Sequence, residues 1–271
     1  MDIQFGTADL EQFSMDYFKF GNGERTLVIL PGLNTTSVMP NAEAVSRTYK
    51  ALADDFTIYL FDRRKGILPS VYTVKDMAED TAKALKKVGL YNVDIFGASQ
   101  GGMIAMTMAI NNPGLVHALV IGSSTAKIAK EDFAIFDNWI KLAKEERKEE
   151  LYLTFAKDLF SAEMLENTRD LWINLSKAVK KEDLERFVIL AEGMRGFDIT
   201  SELKKVTCPV LSLGSNADNV FKKGESEQIV NYLVNSKCSE KYMYDGYGHV
   251  VFDCTPDFQE RMLEFLKKHS K

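Results

Sequence analysis

Short apolar runs, each stopped by a turn, set the strongest limit on how this chain folds. Thr26–Leu30 (TLVIL) stops at Pro31-Gly32, Phe56–Phe61 (FTIYLF) at Asp62, Val93–Phe96 (VDIF) at Gly97, and Ala118–Ile121 (ALVI) at Gly122. Runs this short, rich in Val, Ile and aromatics and apolar on both sides, read as strands buried on both faces of a parallel sheet. Helix-length segments lie between them, among them Val74–Val88 and Met103–Asn111. A strand–helix alternation requires right-handed crossovers and a sheet covered by helices on both faces. The pattern resumes late in the chain with Val210–Leu213, a helix over Glu225–Leu233, a strand over Glu240–Tyr244 and an amphipathic helix over Thr255–Lys268. Between the two halves, Ser123 through Glu192 contains neither Gly nor Pro. A stretch without the two strongest breakers is expected to be mostly helical. The expected organisation is an α/β core over residues 1–122 and 201–271, with a helical insertion over 123–200.

Composition narrows the function classes. With 34 Lys and Arg against 39 Asp and Glu, the net charge is −5. No basic stripe offers the electrostatic footprint of a nucleic-acid binder. The three cysteines, Cys208, Cys238 and Cys254, are odd in number and include no Cys-x-x-Cys pair. That argues against a disulfide framework or a zinc site and suits a reducing compartment. No apolar run reaches the ~18 residues of a membrane span, and the first residues lack a signal-peptide pattern. The expectation is a soluble cytoplasmic protein. No glycine-rich phosphate-binding motif follows a strand, which disfavours a nucleotide-binding reading.

The most informative segment is Gly97-Ala98-Ser99-Gln100-Gly101, a G-x-S-x-G match. A strand enters it and a small-residue helix leaves it, the setting of a nucleophile elbow. A sharp strand-to-helix turn strains the serine backbone and lifts its hydroxyl to a helix N-terminus. There the N–H groups and helix dipole favour developing negative charge. A serine nucleophile needs a base, and the chain has three histidines. His117 precedes a strand and reads as a packing residue. His269 sits in a lysine-rich tail and reads as solvated. His249 lies in a glycine-rich loop before the last helix, where α/β sheets present their chemistry. Asp218, in the loop after Val210–Leu213, is the leading candidate to orient the imidazole. Asp245 and Asp253 are its rivals. The backbone N–H groups of Gln100 and Leu33 are the candidate oxyanion donors. Arg63 and Arg64 either attract an anionic substrate group or are simply solvated.

Together these features resemble the α/β-hydrolase family from about Gly21 to Lys268. The resemblance rests on Pro31-Gly32, the Asp62–Gly66 loop, the elbow, the Gly214–Asp218 loop and Gly248-His249, in the family order Ser99, Asp218, His249. It implies a helical cap where the breaker-free insert lies, and no metal or organic cofactor. It also implies a serine hydrolase that cleaves a small carboxylic ester or thioester through an acyl-enzyme, acting on a small-molecule acyl substrate. An acyltransferase, a carbon–carbon bond hydrolase or a non-catalytic ligand-binding protein on the same fold are the alternatives.

Overall fold

The computed structural model describes residues 2–222 and 224–270. Its centre is an eight-stranded sheet in the order β1-β2-β4-β3-β5-β6-β7-β8. The strands are β1 (Gln4–Asp9), β2 (Ser14–Phe20), β3 (Arg25–Leu30), β4 (Phe56–Phe61), β5 (Val93–Ala98), β6 (Val116–Gly122), β7 (Val210–Ser215) and β8 (Ser239–Tyr244). From β4 to β8 every neighbouring pair is parallel, while β2 runs antiparallel to both β1 and β4. The sheet is therefore mostly parallel, as the apolar runs indicate. The first two strands carry no such run. β1 is largely exposed and β2 alternates between half-buried and buried positions. Their strand state depends on pairing with distant chain, which a local pattern does not reveal.

Helices α1 (Ala42–Thr48), α2 (Val74–Lys87) and α3 (Gln100–Asn111) lie within the first half. α8 (Glu225–Tyr232), α9 (Val251–Cys254) and α10 (Phe258–Lys268) complete the second. The apolar core divides between the two faces of the sheet: α2, α3 and α8 supply one cluster, and α1 and α10 the other. Helix α3 is buried on every side from Gln100 to Ile110, which its glycines and alanines permit. A Thr73–Asp76 capping box starts α2 and satisfies two otherwise orphaned donors.

The breaker-free stretch forms α4 (Ala134–Lys144), α5 (Lys148–Leu159), α6 (Ala162–Ala178) and α7 (Lys181–Glu192). Its two ends are tied together. Ile128 N–H donates to the Phe197 carbonyl at 2.8 Å, and Ile199 N–H to the Ala126 carbonyl at 2.9 Å. A bridge pairs Lys127 with Asp198. Phe136, Trp139, Phe155 and Phe187 are buried and meet ring to ring inside this helical group. Burial of each such ring contributes about 2–3 kcal/mol. No described helix is long and apolar enough to cross a membrane.

Candidate active site

Three strand ends and the inserted helices build the site. β5 ends at Ala98, and the next residue, Ser99, has φ 52° and ψ −118°. A backbone of this kind costs about 1–3 kcal/mol and persists only when its surroundings enforce it. The enforcement is visible. Ser99 N–H donates to the Gly122 carbonyl at 2.8 Å, and the Ser99 carbonyl accepts from Gly102 N–H at 2.9 Å and Ser124 Oγ at 2.8 Å. Glycine is required at both ends of the turn by close approach. A Cβ on Gly97 would lie 2.4 Å from the Gly101 carbonyl oxygen, and one on Gly101 would lie 2.0 Å from that of Leu30. Gln100 opens α3, so its N–H has no acceptor inside the helix.

The loop after β3 lies against this turn. A Cβ on Gly32 would come within 3.3 Å of Ser99 Cβ and 3.9 Å of Ser99 Oγ. Leu33 N–H thus belongs to a segment beside the serine. Further along the loop, the buried hydroxyl of Thr35 is hydrogen-bonded to the Tyr152 hydroxyl on α5.

His249 enters from the loop after β8 and is 1% exposed. Its Nδ1 faces Asp218, at 2.8 Å from Oδ2 and 3.0 Å from Oδ1. Asp218 is held in turn by the backbone N–H groups of Val220 and Phe221, at 2.8 and 3.0 Å. The Phe221 ring packs edge-on to the imidazole at 5.3 Å. The inserted helices fix the loop from the other side, for His249 N–H donates to the Leu159 carbonyl at 2.8 Å. Gly248 fits only because it lacks a side chain, since a Cβ there would meet that carbonyl oxygen at 2.5 Å. The arrangement offers a hydroxyl at a helix N-terminus, a buried imidazole and a carboxylate that orients it. These are the parts of nucleophilic acyl transfer.

The rival groups lie elsewhere. Asp245 is exposed and accepts from Asn216 Nδ2 at 2.7 Å. Asp253 is on α9, and the carboxylate oxygens on His249 Nδ1 are those of Asp218. His117 Nδ1 pairs with Asp94 at 2.8 Å, and Asp94 also accepts from Arg25 at 2.6 Å. Burial holds the Asp94 carboxyl above its ordinary value, against the pull of His117 and Arg25. His117, near the start of β6, is thus engaged with Asp94 at the opposite end of the strands from Ser99. His269 is not solvated: its Nε2 is buried and its ring lies 4.7 Å from that of Phe265, tilted by 57°, because α10 carries it back onto the core.

The solvated reading of the two arginines does not hold. Arg63 is 5% exposed and Arg64 is half-buried. Arg64 is spent on Asp80 at 3.3 Å and on the Phe13 ring at 4.9 Å. Arg63 reaches back to the elbow and the β3 loop, through the Gln100 side chain and the Pro31 carbonyl. Charge in a loop ordinarily signals solvent, so nothing local to Asp62–Lys65 announced these contacts.

Among the described residues, Cys238, Glu240 and His269 offer metal-ligand atoms within 4.8 Å of one another. They lie by the start of β8, at the opposite end of the strands from Ser99. The Lys268 ammonium sits 2.7 Å from Glu240, where a cation would bind. Burial and the Glu240 carboxylate raise the Cys238 thiol, which disfavours the thiolate a metal needs.

Residues 25–254 match the model of the alpha/beta hydrolase fold. A protein of Rhizobium rhizogenes named as the carbamate hydrolase RutD is 26% identical over 234 residues, covering 82% of this chain and 87% of its own length. The 3-oxoadipate enol-lactonase 2 of Acinetobacter baylyi is 19% identical over 234 residues, covering 85% of each chain. Among solved structures, MGS-M2, an alpha/beta hydrolase enzyme from a Medee basin deep-sea metagenome library, superposes with a TM-score of 0.85. It is 20% identical and covers 97% of both chains.

Proposed function

The chain belongs to the alpha/beta hydrolase fold family, and from that premise we propose that it is a serine hydrolase of small carboxylic esters or thioesters, with Ser99, His249 and Asp218 as its triad. One observation carries the reading: a 1% exposed imidazole whose Nδ1 is held by a carboxylate 2.8 Å away. With Nδ1 engaged, Nε2 is the nitrogen left to exchange protons. In this mechanism Nε2 takes the Ser99 hydroxyl proton as Oγ attacks the substrate carbonyl carbon. The N–H groups of Gln100 and Leu33 hold the resulting oxyanion. His249 then protonates the leaving alcohol or thiol, and the acyl group stays on Ser99. A water, deprotonated by His249, attacks the acyl carbon; the acyl–Oγ bond breaks, His249 returns the proton to Ser99 Oγ, and the acid leaves. Asp218 keeps the imidazole in its productive tautomer and stabilises the imidazolium.

Helices α4 to α7 act as the cap in this proposal. The backbone of Leu159 and Phe160 packs on the histidine loop, and the half-buried rings of Phe160 and Trp172 lie 5.6 Å apart. In this proposal these rings limit the space open to the acyl group, so short acyl chains are expected to fit better than long ones. The related proteins named for a carbamate and an enol-lactone also point to hydrolysis at an acyl carbon.

The test is a panel of p-nitrophenyl esters of increasing acyl length. Turnover is expected to be highest for acetate to butyrate and to fall at least tenfold by the longest chains. A folded parent protein that turns over none of them would sink the proposal. The choice of acid is tested separately. Asp218→Asn is expected to lower kcat about 10³- to 10⁴-fold by mispositioning the imidazole and its tautomer. Asp245→Asn, which disturbs only an exposed hydrogen bond, is expected to leave kcat within about twofold. If the two losses are reversed, Asp218 is not the triad acid.

A further inference from the structure

A guanidinium taken out of water is costly unless its donors find acceptors. Arg63 is the one buried Lys or Arg among the described residues, at 5% exposure. Its acceptors are two neutral oxygens on two different segments. Nη2 donates to the Pro31 carbonyl at 2.6 Å. Nη2 and Nε donate to the Gln100 side-chain oxygen at 3.2 and 3.3 Å. Pro31 lies two residues before Leu33, and Gln100 directly follows Ser99. These are the two segments that carry the proposed oxyanion donors.

We propose that Arg63 is the positioning residue of the oxyanion hole, a cross-tie that sets the distance between the Leu33 and Gln100 donors. The proposal rests on the triad reading above. Two donors on segments so far apart in sequence have no covalent reason to stay in register. An oxyanion hole works only when both N–H groups stand about 2.7–3.1 Å from the place where the oxyanion forms. A planar guanidinium, with donors in a rigid fork, spans both segments at once, as a single ammonium does not. The tie extends outward as well. The Gln100 amide Nε2 donates to the Leu190 carbonyl on α7 at 2.9 Å, and Arg186 on α7 donates to the Arg64 carbonyl at 2.6 Å. The loop is therefore gripped by the sheet on one side and the inserted helices on the other. Burial lowers the Arg63 pKa to about 10, with Asp62 opposing, so the group stays charged at neutral pH. That charge has the sign a developing oxyanion needs.

Two variants test the tie from its two ends. Arg63→Lys keeps charge and bulk and loses the fork. Gln100→Leu keeps the backbone donor and loses the acceptor. Each is expected to lower kcat about 10- to 100-fold per active site, counted by fluorophosphonate titration, with KM within about twofold, because misplaced donors weaken the transition state alone. The affinity for phenylboronic acid, whose serine adduct places a charged oxygen in the hole, is expected to fall by a similar factor. A purely structural role for Arg63 would lower the melting temperature and leave kcat per active site and boronate affinity unchanged. That result, or a loss confined to KM, overturns the proposal while the triad stands. A parent protein that is neither labelled at Ser99 nor active on the esters sinks the triad reading, and this proposal with it.

Discussion

Ser99→Ala is expected to reduce ester turnover by about 10⁵-fold or more, the size of loss that follows removal of a triad nucleophile. At 1.36 kcal/mol per tenfold, this is about 7 kcal/mol of transition-state stabilisation. Covalent labelling by a fluorophosphonate probe should vanish with it. The same position separates chemistry from folding. Its φ of 52° is a strained value for any residue with a side chain. Alanine keeps that strain, so Ser99→Ala is expected to melt within about two degrees of the parent. Glycine tolerates positive φ, so Ser99→Gly is expected to be equally inactive but more stable by up to about 1 kcal/mol. Calorimetry and an ester assay on the same preparations check both statements. An alanine variant that retains a tenth of parental turnover would show that the hydroxyl is not the nucleophile.

Gly101→Ala is expected to have the largest effect on stability, a loss of more than about 4 kcal/mol or failure to fold. An exposed glycine early in a helix ordinarily gains from such a change, by about 0.5–1 kcal/mol. Here the added methyl would stand 2.0 Å from the Leu30 carbonyl oxygen and 2.6 Å from that of Pro31. Both obstacles are backbone. Leu30 ends β3, which is locked between β4 and β5 in the middle of the sheet. Relief would require moving the central strand or unseating α3, and α3 is buried on all sides. Gly114→Ala is the matched control. An added Cβ there meets nothing within 4 Å and the residue has no positive φ. Its effect is expected within about 0.5 kcal/mol. Denaturant titration of both variants decides the matter; a Gly101→Ala midpoint near that of the parent would disprove the account of the elbow.

Much of the frame can be read from the chain because the relevant forces act over a few residues. The runs TLVIL, FTIYLF, VDIF and ALVI mark β3, β4, β5 and β6, since short, mostly apolar runs bounded by turns fit strands with both faces covered. The missing breakers between Ser123 and Glu192 mark α4 to α7. β1 and β2 carry no such mark, because their side chains are partly exposed and pairing, not pattern, makes them strands. Several helix and strand ends differ by a few residues, as in the final helix, which begins at Phe258 and not at Thr255. Thr255 follows the separate short turn of α9.

The elbow at Ser99 is written in the sequence itself, for a turn that tight follows from covalent geometry and the clash of one Cβ with nearby backbone. The side chain that faces His249 is another matter. Which of Asp218, Asp245 and Asp253 faces the imidazole depends on where the loops after β7 and β8 come to rest, and that is settled by sheet order and by the inserted helices gripping His249 at Leu159. Arg63 makes the same point more sharply. Its charge suggests solvent, and only the convergence of Pro31 and Gln100 from distant parts of the chain gives its donors a reason to be buried.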